Sequence, residues 1–124
     1  MKTARVLCLL FAFIALSSGG IAWGAYASVP IEERLANAIY KAEGGHRTAH
    51  PYGIIARYKR TSPRQACINT IRHRHALWLK TGQKEGFIEY LSKTYAPIGA
   101  SNDPTGLNKN WVKNVTHFYN KGGV

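Results

Sequence analysis

Residues 38–45 read Ala-Ile-Tyr-Lys-Ala-Glu-Gly-Gly, and this short stretch decides how the chain is understood. Upstream of it, Ile31, Leu35, Ile39 and Ala42 recur at helical spacing, so residues 30–43 predict a helix with one apolar face. Pro30 suits a first helical turn, and Gly44-Gly45 supplies the stop. The last residue before the glycines is a carboxylate, Glu43.

That position is unusual for an acid. The C-terminal end of a helix carries negative dipole charge and disfavours a carboxylate. The helix end and any desolvation both raise a carboxyl pKa, and a glutamic acid kept protonated near neutrality is what a general acid requires. The plain alternative is an exposed glutamate that happens to end a helix. Six acids occur in the chain, and the other five have simple roles. Glu32, Glu33 and Glu85 suit first helical turns, Glu89 can pair with Lys93 four residues on, and Asp103 before Pro104 fits a turn or cap.

Downstream, residues 46–60 abandon the helical pattern. Pro51, Gly53 and the run Tyr52-Gly-Ile-Ile-Ala predict an extended piece or short β-hairpin. A second helix then has a clear start: Ser62 as N-cap, Pro63 in the first turn and Gln65 at the capping-box position. Ile68, Ile71, His75 and Trp78 share a face, and Gly82 is the expected stop. Phe87, Leu91 and Tyr95 mark a third helix, closed by Pro97. The stretch 97–106, PIGASNDPTG, reads as a loop. Leu107, Trp111, Val115 and Phe118 or Tyr119 mark a fourth helix. The fold expected is mainly α, formally α+β, with a short hairpin or irregular excursion after the first helix.

The segments Ala38-Ile-Tyr-Lys-Ala-Glu-Gly-Gly and Pro51-Tyr-Gly-Ile, with Tyr95-Ala-Pro and Asn102-Asp-Pro…Leu-Asn-Lys-Asn-Trp, resemble the lysozyme-like superfamily that includes the lytic transglycosylases. The resemblance spans roughly residues 30–120. It implies a helix ending in the catalytic Glu, a short β excursion carrying a glycine, and a buried central helix. It also implies a peptidoglycan glycan substrate and Glu43 as general acid/base; no cofactor is expected. Residues 28–124 would then be one lysozyme-like catalytic domain.

One departure narrows the chemistry. No Asp or Glu occurs between Glu43 and Glu85, where two-carboxylate lysozymes usually place the second acid. A water-activating or covalent mechanism needs that second group. A transglycosylase needs only one: Glu43 would protonate the glycosidic oxygen and then take the C6-hydroxyl proton as a 1,6-anhydro ring closes. Asp103 folding back as a second carboxylate would give hydrolysis instead. In the family a tyrosine hydroxyl orients the catalytic carboxyl, and Tyr95 is the candidate. Tyr52 and Gly53 are candidates to line the cleft. Asn102, Asp103 and Asn110 are candidates to hydrogen-bond sugar, although turn and cap duties would also explain them.

At the N-terminus, Lys2 and Arg5 precede the apolar run Val6–Leu16, and Ala25-Tyr26-Ala27 has the small-x-small form that signal peptidase reads. The run is shorter than the roughly 20 apolar residues of a membrane span. Residues 1–27 are therefore expected to be a signal peptide, sending a periplasmic or secreted monomer out of the cell without stable membrane insertion. Its removal takes two cations and no acids, so the formal charge of +11 falls to +9 and Cys67 becomes the only cysteine. No disulfide is then possible within the domain.

The basic run Arg72-His-Arg-His75, with Arg57, Lys59, Arg60 and Arg64, would suggest nucleic acid in a cytosolic protein. Export argues against that partner and toward wall polyanions. His46, His50, His73 and His75 match no zinc spacing, so no metal is expected. Two other classes compete with the enzyme: a non-catalytic cell-wall-binding or assembly protein on the same fold, and an exported nuclease.

Overall fold

The computed structural model describes residues 29–122. The expected signal peptide therefore lies outside the described residues.

Four helices close into a ring: α1 (Ile31–Ala42), α2 (Pro63–Lys80), α3 (Phe87–Tyr95) and α4 (Trp111–Asn120), with 3₁₀ turns at Gly45–Arg47 and Leu107–Asn110. Each helix packs on its neighbours, α1 on α2 and α4, and α3 on α2 and α4. The core inside the ring is Leu35, Ala36, Ala38, Ile39, Cys67, Ile68, Ile71, Phe87, Leu91, Ala96, Trp111 and Val115. Every helix contributes to it, as expected of amphipathic helices that bury one stripe each.

Local chemistry sets the boundaries. Ser62 Oγ accepts the Gln65 N–H at 3.2 Å, the expected N-cap of α2. The reciprocal half of the capping box is not made, because the Gln65 amide donates to Asn69 Oδ1 instead. At the far end of α1, Glu43 is the C-cap, its N–H donating to Ile39 O at 2.9 Å. Gly44 follows with φ +93°, a left-handed conformation that stops the helix without a Cβ penalty.

Four expectations are corrected or narrowed. First, of the hairpin or irregular excursion expected after α1, the irregular form holds: residues 48–61 form turns and irregular backbone, with no β-hairpin among the described residues. The Gly53 N–H donates to His50 O, closing a turn, and residues 55–60 are all exposed. A hairpin with neither face covered is marginal in water, so the segment has no reason to pair. Second, α2 is not a buried central helix. Its buried residues, Ala66, Cys67, Ile68 and Ile71, occupy only its first half. Third, α4 begins at Trp111, and Leu107 is 65% exposed rather than inward. Fourth, Glu85 precedes α3 and pairs with Lys93, the partner expected for Glu89.

Side-chain contacts hold α1 on two flanks. Arg64 at the start of α2 bridges to Glu33 at 2.7 Å and donates to Asn37 Oδ1 at 2.9 Å, latching α2 to α1. On the opposite flank, the Arg34 guanidinium lies 4.3 Å from the Tyr119 ring centroid of α4. The C-terminal end of α1, and with it Glu43, is thus aimed from a helix held on two sides.

Candidate active site

Glu43 sits in an open cleft of about 460 Å³ between the end of α1, the 50–55 turn, the 96–110 loop and the start of α4. The cleft lining also includes Gly53, Tyr95, Asn102, Asn108, Trp111 and Asn114. Glu43 is the only carboxylate among the described residues of that lining.

Its carboxyl is gripped from α4. Trp111 Nε1 donates to Glu43 Oε1 at 3.0 Å. An indole N–H can only donate, so Oε1 is the acceptor oxygen and the proton of the neutral acid belongs on Oε2. Burial pushes the Glu43 pKa up from its ordinary 4.5, and the Trp111 hydrogen bond partly opposes that shift. Desolvation dominates, so the protonated form is favoured relative to a free glutamic acid.

A column of aromatic and sulfur groups backs this contact. The Tyr95 ring stacks on Trp111 with centroids 5.5 Å apart and planes 12° from parallel. The Tyr95 hydroxyl donates to Cys67 Sγ at 3.2 Å, behind the cleft. Burial pushes the Cys67 thiol up to about 11, so it is neutral and inert at ordinary pH. Burial likewise raises the Tyr95 hydroxyl, leaving it a donor.

Gly53 closes the other side of the carboxyl. It has φ +67°, and a Cβ built there would lie 3.2 Å from Tyr95 Cδ1 and 3.3 Å from Glu43 Oε1. The 50–53 turn therefore brings bare backbone against the carboxyl, an approach only glycine permits without displacement.

Of the expected site residues, the fold brings Glu43, Gly53, Tyr95 and Asn102 to one cleft. Asn110 lines it as well. Tyr52 does not share that lining: its ring packs on the core and lies 5.1 Å from the Tyr40 ring. Asp103 does not share it either, since both its oxygens are taken by backbone N–H groups, Leu107 at 2.8 Å and Asn108 at 2.9 Å. Its local role is the turn or cap, and it offers no second carboxylate to the cleft. Tyr95 reaches the site through ring stacking, whereas its expected hydroxyl contact with Glu43 is replaced by Trp111.

Trp111, Asn108 and Asn114 were not legible as site residues in the sequence. Trp111 had a core-face spacing, which its burial satisfies, and nothing local reveals that its N–H reaches residue 43. Among the described residues no three His, Cys, Asp or Glu side chains gather as a metal-binding group. His75 packs against Trp78 and Phe87, and His73 is exposed.

Compared with known proteins, the chain matches no family model, no curated protein and no solved structure.

Proposed function

We propose that this chain cleaves the β-1,4 bond between N-acetylmuramic acid and N-acetylglucosamine in peptidoglycan, as an exported lytic transglycosylase with Glu43 as its single general acid/base. The observation that carries this proposal is the half-buried Glu43 carboxyl, held by Trp111 in a cleft that no other carboxylate lines.

The chemistry follows from that one acid. Neutral Glu43 gives its Oε2 proton to the glycosidic oxygen as the bond to muramic C1 breaks. The substrate's own 2-acetamido oxygen supports the developing positive charge at C1, which removes the need for a second protein carboxylate. The Glu43 carboxylate then takes the C6-hydroxyl proton, and O6 closes on C1 to give the 1,6-anhydro sugar. The acid is regenerated and no water is consumed. Trp111 steadies Oε1 through both proton transfers, while the asparagine amides offer donors and acceptors to sugar hydroxyls and N-acetyl groups.

The same asparagine-rich lining favours a second reading, a protein that holds wall glycan without cutting it. A zymogram on purified peptidoglycan separates the two. Clearing by the wild type and none by folded Glu43→Gln supports the enzyme. Equal binding of glycan by both, with no clearing by either, supports the binding protein.

A further inference from the structure

The cleft does not end at Glu43. His50 and Ile55 line it and also line a neighbouring hollow of about 310 Å³, whose other walls include Ala49, Pro51, Ile54 and Arg57. The hollow is thus mostly apolar, with Arg57 as the one arginine of its lining. Arg57 belongs to the exposed run Ile55-Ala-Arg-Tyr-Lys-Arg60, in which Ile55 is 69% and Tyr58 56% exposed.

Five of the six acids of the domain are engaged elsewhere, and the sixth, Glu89, lies on α3 and lines neither this hollow nor the Glu43 cleft. Glu32 pairs with Arg72, Glu33 with Arg64 and Glu85 with Lys93. Asp103 is spent on backbone amides, and Glu43 accepts from Trp111. Among the described residues, Arg57, Lys59 and Arg60 make no ion pair. These cations, with Arg57 in the lining of the hollow, are thus open to an anionic ligand.

We propose that the hollow beyond His50 and Ile55 is a subsite for an acidic peptide attached to the sugar next to the scissile bond, with Arg57 holding its carboxylate. This rests on the proposed glycan cleavage at Glu43. The muramic sugar carries its lactyl ether and peptide on the same ring whose C1 reacts, so that substituent begins close to Glu43. Methyl-bearing first units fit apolar walls, and a following carboxylate fits a guanidinium, which can bind it through two parallel hydrogen bonds. Lys59 and Arg60 add attraction to a polyanionic strand without fixing its geometry.

The test compares peptide-bearing peptidoglycan with the same glycan stripped of its peptides by an amidase. Wild type, Arg57→Gln and Arg57→Lys are assayed on both at low salt. Wild-type kcat/KM is expected to fall about tenfold on stripped glycan, a difference of about 1.4 kcal/mol. Arg57→Gln should show that loss on intact peptidoglycan and no further loss on stripping, and Arg57→Lys should recover part of it. A wild type indifferent to stripping, or an Arg57→Gln protein as sensitive to it as wild type, overturns the subsite while leaving the cleavage proposal intact. Absence of cleavage on both glycans overturns the cleavage proposal. Sedimentation of Glu43→Gln with the two glycans then decides the subsite: retention that depends on both peptide and Arg57 supports it, and equal retention overturns it.

Discussion

Trp111 Nε1 and Glu43 Oε1 meet at 3.0 Å across 68 positions of sequence, joining the first residue of α4 to the residue that ends α1. This bond sets the carboxyl's orientation and opposes the effect of burial on its pKa. Replacing Trp111 by Phe keeps an aromatic ring against Tyr95 and removes only the N–H donor. The Glu43 pKa should then rise further, moving the alkaline limb of the activity profile to higher pH, while poorer positioning lowers kcat. Loss of a hydrogen bond to a charged group should cost about 1–3 kcal/mol of stability above the Glu43 pKa. A pH–rate profile and urea unfolding of the variant check both.

Glu43 also links stability to pH. Its folded pKa is raised, so between the ordinary 4.5 and the folded value the native state binds more protons than the unfolded state. Stability contributed by this group is present below 4.5 and is lost as pH rises through the folded pKa. Glu43→Gln removes the titration and keeps an oxygen for the Trp111 N–H. The variant should therefore match or exceed wild type in stability at pH 7, with a margin that grows as pH rises through that window. Urea midpoints measured from pH 4 to 8 give the comparison.

Gly53 should not tolerate a side chain. Gly53→Ala places a Cβ beside Tyr95 and Glu43 Oε1 at a φ of +67°. The left-handed backbone alone costs an alanine about 1–2 kcal/mol, and the crowded carboxyl should lose activity beyond what the stability loss explains. Thermal unfolding and specific activity, measured on the same preparation, separate the two effects.

Cys67 is fully buried, and its thiol is pushed up to about 11. In the native protein it should resist thiol reagents at pH 8, then react stoichiometrically once urea unfolds the chain. Fast reaction of native protein would contradict the closed packing of Tyr95 on Cys67.

The helices were legible because their signals are local. Ser62-Pro63 starts α2, Gly44 stops α1, and the apolar spacing of Leu35, Ile39, Leu91 and Val115 marks faces that are buried. The position of Glu43 was legible for the same reason, since a carboxylate before two glycines is a local anomaly. Of the hairpin and the irregular excursion that the sequence allowed after α1, only the irregular form is present: β-forming residues at 52–58 met no partner strand, and tertiary packing took only Tyr52 and Ile54. Trp111 escaped notice because its useful atom is one N–H on an otherwise apolar side chain, and only the closure of α4 onto α1 gives that atom a carboxylate. Asp103 shows the converse. Its turn position already explained it, and its two backbone partners lie within five residues.

The most direct measurement is mass spectrometry of the fragments released from purified peptidoglycan by wild type and by Glu43→Gln, with circular dichroism showing both folded. The single-carboxylate cleft predicts 1,6-anhydromuramic ends from the wild type and no release from the variant. Reducing ends from the wild type, or unchanged release by Glu43→Gln, would contradict it.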